Sequence, residues 1–347
     1  MILHTEGSVW GRMLKAEEIR KQLRSWSQED LLTLYTQTYR RLPKDVKEDI
    51  DTLILEGMPS GKRQASRTTA APAVDLEALT EKIDVFLELA QDGYYFSPNR
   101  TVSKKERANW RFTVKGFIKA LRSVPETQKE NYRTATLYLI RIYQIMGHAC
   151  SFYTFASQDP FHAVGYASQT ACFEELTRQV LQTNCDHDLI AAYLKAACAG
   201  DNDTETLNRQ IHGVIYQLFP PDMLRNVILP IAQEVFAPIR NLYKARYKET
   251  NSLMITDEEI RAHAAYDSFV WMIAETLHRL DGWETMYRFI KEEHPETEAE
   301  VSLYIMLQYY TRSDEEFVAL YEQGVKDHIK PRESLTADYQ ACKAHLS

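Results

Sequence analysis

The sequence predicts a nearly all-α protein, and three observations carry the prediction. Gly and Pro are scarce, at 12 each in 347 residues, about 7% together against a usual share of roughly 12%. Helix-start signatures recur along the chain. No segment shows the sustained apolar/polar alternation of a half-buried strand. The scarcity of turn residues argues against a β-sandwich, a β-barrel or a collagen-like chain. Hydrophobic residues make up 44%, enough for a sizeable core, and the length leaves room for more than one domain.

The first element is a small helical unit, residues 10–56. Its helices are expected at about 14–25, 28–41 and 44–56, with Pro43 opening the third. Ser27 with Asp30 is a loose capping pair at the start of the second. The segment 57–74, GMPSGKRQASRTTAAPAV, follows as a flexible linker. Small and polar residues dominate it, so it cannot bury enough surface to offset its ordering entropy. A larger helical body, 75–347, comes next.

Within the body, capping boxes mark helix starts. Ser or Thr precedes the helix and Glu follows three residues later, so each side chain satisfies an orphan backbone N–H. The candidates are Ser103 with Glu106, Thr127 with Glu130, Thr256 with Glu259, Thr297 with Glu300, and Ser313 with Glu316. Pro220, Pro221, Pro230 and Pro238 interrupt the middle and predict short or kinked helices there. The longest uncharged run, Ile142 to Gln158, contains Gln144, His148, Ser151 and Thr154, and reads as a buried helix, not a membrane span.

Charge is segregated along the chain. The formal net charge is −8, yet residues 1–125 carry 21 Lys and Arg against 17 Asp and Glu, and residues 126–347 carry 20 against 32. Residues 100–122, RTVSKKERANWRFTVKGFIKALR, hold eight basic side chains and one acid. On one helix Lys104, Arg107, Arg111, Lys115, Lys119 and Arg122 form a basic stripe at spacings of three and four. Trp110, Val114, Phe117, Ile118 and Leu121 form the apolar stripe opposite. Like charges at such spacing oppose the helix by a few tenths of a kcal/mol per pair. The stripe reads as a surface for an acidic protein or for nucleic acid. Its bland counterpart is a solvated face, or one docked on the acidic remainder of the chain.

Other constellations have structural readings beside the chemical ones. His148 with Cys150, and Cys185 with His187, could supply four zinc ligands, but the spacings match no common zinc module. Glu259, His263 and Asp267 share one helix face, while Glu259 already has a role as a cap. The aromatic turn Gly93-Tyr94-Tyr95-Phe96-Ser97-Pro98 reads as packing beneath a helix junction or as a base-stacking surface. No phosphate-loop, dinucleotide, zinc-protease or serine-hydrolase motif occurs, so the expectation is no metal and no cofactor. The five cysteines form no C-x-x-C pair, and the N-terminus lacks a signal-peptide pattern. Both point to a reducing, cytoplasmic setting.

Faint repetition runs through the C-terminal region. Trp271 to Asp281, Tyr193 to Asp203 and Tyr304 to Asp314 each lead from an aromatic residue to an acid ten residues on. A 34-residue offset aligns Trp283 with Phe317, Met286 with Leu320, Tyr287 with Tyr321, and His294 with His328. Over 270–330 this resembles tetratricopeptide-type helical-repeat arrays. Ala299, sixteen residues after Trp283, fits that pattern. Tyr287 and Tyr321 depart from it, because the family usually places a small residue there, and Thr311 stands where a late Pro is usual. The resemblance implies an α-solenoid or helical-hairpin array that presents a face to a protein partner. From the sequence the first expectation is thus a non-enzymatic interaction protein. A nucleic-acid-binding protein using the basic stripe is second, and an enzyme on a helical scaffold is third.

Overall fold

The structure is a computed structural model that describes residues 23, 26–41, 75–96, 103, 107–152, 154, 155, 157, 159–249, 256–294 and 296–347. Among them every regular element is helical and no strand occurs. The chain divides into two compact units, Met1–Ala71 and Pro72–Ser347.

In the first unit, α1 spans Gln28–Arg41, as its capping pair predicts. The Ser27 hydroxyl accepts from the Asp30 amide at 3.2 Å and donates to its carboxylate at 2.5 Å. The helices expected at 14–25 and 44–56 and the linker at 57–74 lie outside the described residues, apart from Leu23.

The second unit holds α2 (Leu76–Gln91), α3 (Trp110–Arg122), α4 (Lys129–Ser151), α5 (Pro160–Ala163), α6 (Gln169–Leu181), α7 (His187–Ala197) and α8 (Asn208–Leu218). There follow α9 (Leu229–Glu249), α10 (Asp257–Asp281), α11 (Trp283–Glu293), α12 (Ala299–Tyr309), α13 (Asp314–Lys326) and α14 (Glu333–His345). Packing is mostly between near neighbours in sequence. Helix α4 meets α2, α3, α5, α6 and α7. Beyond it α6 packs on α8, α7 on α9, α8 and α9 on α10, and α10 on α11. Helices α11 to α14 pack in succession, with α11 also reaching α13. The uncharged run from Ile142 explains α4's central place: Ile142, Tyr143, Ile145, Met146 and Ala149 are core. No helix among the described residues is long and apolar enough to cross a membrane.

Capping follows the sequence in part. Thr256 and Glu259 form the predicted reciprocal box, with bonds of 3.2 and 2.8 Å. Ser313 accepts from the Glu316 amide, but the Glu316 carboxylate turns to the Arg312 amide and to His278. Thr127 and Thr297 cap nothing: α4 starts after Gln128, and a 3-10 turn, Glu296–Glu298, precedes α12. Asp75, Asp159, Ser168 and Asp186 supply further N-caps.

The Pro-rich middle is more continuous than its composition suggests. Pro221 opens a turn, Leu224–Ile228 is π-helical, and α9 then runs through both Pro230 and Pro238. A π-turn widens the helix just ahead of a residue that has no N–H to donate, which relieves the clash Pro makes with the preceding turn.

Three helices, α2, α5 and α13, end in the same two-bond motif, which turns the chain through a left-handed residue. In α2 the Gly93 amide bonds Ala90 O and the Tyr94 amide bonds Leu89 O. In α5 Gly165 and Tyr166 bond His162 O and Phe161 O. In α13 His328 and Ile329 bond Val325 O and Gly324 O. The pivots have φ of 74°, 98° and 63°, and only His328 carries a side chain.

In the C-terminal region, Met286 and Leu320 are both fully buried, and Tyr287 and Tyr321 are both 7% exposed. Their hydroxyls diverge: Tyr287 donates to Asp327 at 2.8 Å, whereas Tyr321 meets Thr336 at 3.0 Å. The close helix approach occurs at Gly324, where a Cβ would stand 2.6 Å from a Leu303 methyl. The three acids of the ten-residue pattern occupy unlike places: Asp281 ends α10, Asp203 lies in a loop and Asp314 opens α13.

Candidate functional site

The basic segment becomes α3, whose apolar stripe anchors it. Trp110, Val114, Ile118 and Leu121 are buried. The Trp110 ring stacks on Phe155 with centroids 4.2 Å apart and planes 8° from parallel. Phe117 meets Phe86 of α2 edge-on at 5.7 Å. The aromatic turn after α2 joins this cluster, since Tyr95 packs on Phe86 at 5.0 Å and on Phe155 at 6.1 Å. Tyr95 thus acts as packing at the α2–α3 junction.

With that face buried, helical geometry sends the charged positions outward. Arg111, Lys115, Lys119 and Arg122 are exposed. Phe112 stands among them at 62% exposure, with the Arg111 guanidinium 4.9 Å from its ring. The helix begins at Trp110, after a cap at Asn109 whose side chain makes no capping bond. Arg107 is half-buried in a separate helical turn ahead of it, and Lys104 lies outside the described residues. The continuous stripe of six is thus four residues on α3 plus Arg107. Lys119 and Arg122 sit in the last turn, where the helix dipole favours cations. Arg111 sits in the first turn, where it does not.

Three of the four line an open cleft of about 540 Å3 between α3 and the α5–α6 connection. Lys115 lies over Gly165, its Nζ 3.2 Å from where a Cβ would stand. Ile118 and Val164 give the cleft an apolar floor. The Arg122 guanidinium lies 5.6 Å from the centre of the Tyr166 ring and pairs with Glu175 of α6. Neither Lys115 nor Lys119 forms an ion pair among the described residues. The acidic remainder of the chain thus neutralises Arg122 and leaves both lysines free. Cys172, beside Tyr166, is buried, and burial pushes its thiol up to about 12.

Sequence reasoning finds the lysines and misses the opposite wall. Asp159-Pro160 and Gly165 mark a short capped turn, but no spacing ties a turn 40 residues away to α3. The other candidate constellations disperse. His148 stacks on Phe152 and lies 4.0 Å from Asp201, and Cys150 bonds Met146 O. Cys185 lies against Val180 O, and His187 bonds Glu234 at 2.8 Å. Among the described residues no three His, Cys, Asp or Glu side chains converge as a metal site. Glu259 serves as a cap, His263 packs edge-on against Tyr243, and Asp267 accepts from the Trp271 indole at 3.2 Å.

No family model matches the chain, and no curated protein or solved structure matches it at a significant level.

Proposed function

We propose that the chain is a non-enzymatic, cytoplasmic interaction protein whose body is a helical-hairpin array, and that α3 receives an acidic segment of a protein partner. The observation that carries this reading is the pair of unneutralised lysines, Lys115 and Lys119, on the wall of a cleft with an apolar floor. Unpaired cations on one helix face raise the local concentration of an acidic partner and favour its binding. Glu175 on the far wall is taken up by its pair with Arg122, so the cationic character of the cleft rests on the two lysines. The near-neighbour packing of the helices supports the array reading.

A second reading, single-stranded nucleic acid, is favoured by one feature. Phe112 is an exposed ring among cations, the arrangement on which bases stack.

Fluorescence anisotropy separates the two. A labelled Glu-rich peptide containing Leu should bind at low salt, and the double change Lys115→Glu and Lys119→Glu should weaken it by roughly tenfold or more with the helical circular-dichroism signal unchanged. Binding of a labelled single-stranded oligonucleotide with a steep salt dependence, and none of the peptide, would replace the protein reading with the nucleic-acid one.

A further inference from the structure

A second cavity, about 610 Å3, opens between α11, α12 and the connection from α13 to α14. Its size lies within the roughly 300–1,000 Å3 range of small-molecule sites. Ile290 and Met306, each 2% exposed, and the half-buried Ile329 form its apolar wall.

The polar lining sorts itself by partner. Lys291 and Tyr287 both bond the Asp327 carboxylate, at 2.7 and 2.8 Å. Glu300 takes a bidentate pair from Arg332 at 2.6 and 2.7 Å. His294 Nδ1 meets the Ser302 hydroxyl at 2.7 Å. Each lining carboxylate therefore has its own cation. Among the described residues Lys330, exposed at the rim, is the lining ammonium left without an ion pair.

The backbone marks the same place. Among the described residues two side chains sit at positive φ, Cys185 at 49° and His328 at 63°, and His328 lines this cavity. A side chain at such a φ is disfavoured, and strained positions of this kind gather at ligand sites. The 34-residue offset in the sequence also pairs His294 with His328, and both line this cavity.

We propose that the cavity binds a small amphiphilic anion, with its apolar body against Ile290, Met306 and Ile329 and its acidic group at the Lys330 ammonium. This site is separate from α3 and goes beyond the reading given for it.

Isothermal titration of the full chain with octanoate and with octylamine tests the proposal, since the two share an apolar body and differ in charge. Octanoate should bind at one site per chain, roughly tenfold more tightly than octylammonium. Lys330→Glu, at an exposed position, should abolish or reverse that preference while leaving acidic-peptide binding at α3 intact. Ala299→Phe, which fills the cavity from the first turn of α12, should remove binding of both. Thermal unfolding of each variant verifies that it is folded. No saturable octanoate binding overturns the proposal, as does octanoate affinity unchanged in both variants. Loss in Ala299→Phe with an unaltered charge preference in Lys330→Glu overturns the assignment of an anion.

Discussion

His328 pivots the end of α13 at φ 63°, where Gly93 and Gly165 serve in the same motif on α2 and α5. Glycine adopts that conformation without the Cβ clash that costs other residues about 1–2 kcal/mol. Its greater freedom in the unfolded chain offsets part of the gain. His328→Gly is thus expected to raise the unfolding free energy by about 0.5–1 kcal/mol, read from urea denaturation midpoints. Unchanged or lowered stability would show that the imidazole makes a compensating contact. A second histidine sets a pH dependence. Burial pushes His294 down to about 4, and its side chain is 7% exposed. In the unfolded chain an imidazole titrates near about 6.5. Between those values the unfolded state binds the extra proton, so stability is full above about pH 7 and falls as pH drops through the window. The loss by pH 4 is about 3 kcal/mol for this group. Burial pushes His212 down to about 3, so it adds in the same direction. Unfolding free energies from pH 7.5 to 4 should show the slope, and His294→Asn should flatten it.

At the scale of elements, one helix end joins several neighbours. Glu293 closes α11 with a side chain only 3% exposed. It receives Arg240 at 2.7 Å and Lys244 at 2.9 Å, both from α9. The Tyr266 hydroxyl of α10 donates to its backbone oxygen at 2.8 Å. One residue thereby ties three helices. Glu293→Gln keeps the shape and removes the charge, leaving two cations with a weaker acceptor. It is expected to cost about 1.5–3 kcal/mol, the range for hydrogen bonds to charged groups, and calorimetry will show it as a lowered melting temperature. None of this shows in the sequence, where Glu293 is one of two acids in a row before His294. The same limit applies to α9. Pro230 and Pro238 imply an interruption, whereas a π-turn at Leu224–Ile228 precedes Pro230 and α9 continues through Pro238. Local signals read through at Ser27 and at the box of Thr256 with Glu259, but not at Thr127 or Thr297, where the helix starts shift to other residues.

For the whole molecule, the buried apolar core among the described residues, from Ile83 to Leu335, lies in the second unit. A unit with its own core can fold alone. A fragment spanning residues 72–347 is expected to keep a helical circular-dichroism spectrum and a cooperative thermal transition. A fragment that melts without cooperativity would mean that the first unit completes its fold. The charge pattern also belongs to this scale. The net −8 is the sum of a basic N-terminal third and an acidic remainder. Folding brings Glu175 to Arg122 and leaves Lys115 and Lys119 on an open cleft.

The sequence alone determined the helical class, the position of α1, the buried face of α3 and the capping of α10. Each rests on interactions within about four residues, such as the recurrence of apolar side chains on one helix face or a hydroxyl facing an amide three positions on. It also brought out four of the cationic side chains on α3. Only the tertiary structure decided which of them stay unneutralised, because that depends on Glu175 and Tyr166, more than 40 residues distant along the chain. The cavity beside His294 and His328 has the same origin. The 34-residue offset pairs the two residues in sequence, but the approach of α11, α12 and the end of α13 creates the space between them. Contacts of that kind depend on how helices pack, and packing is set by the side-chain volumes of all the partners at once.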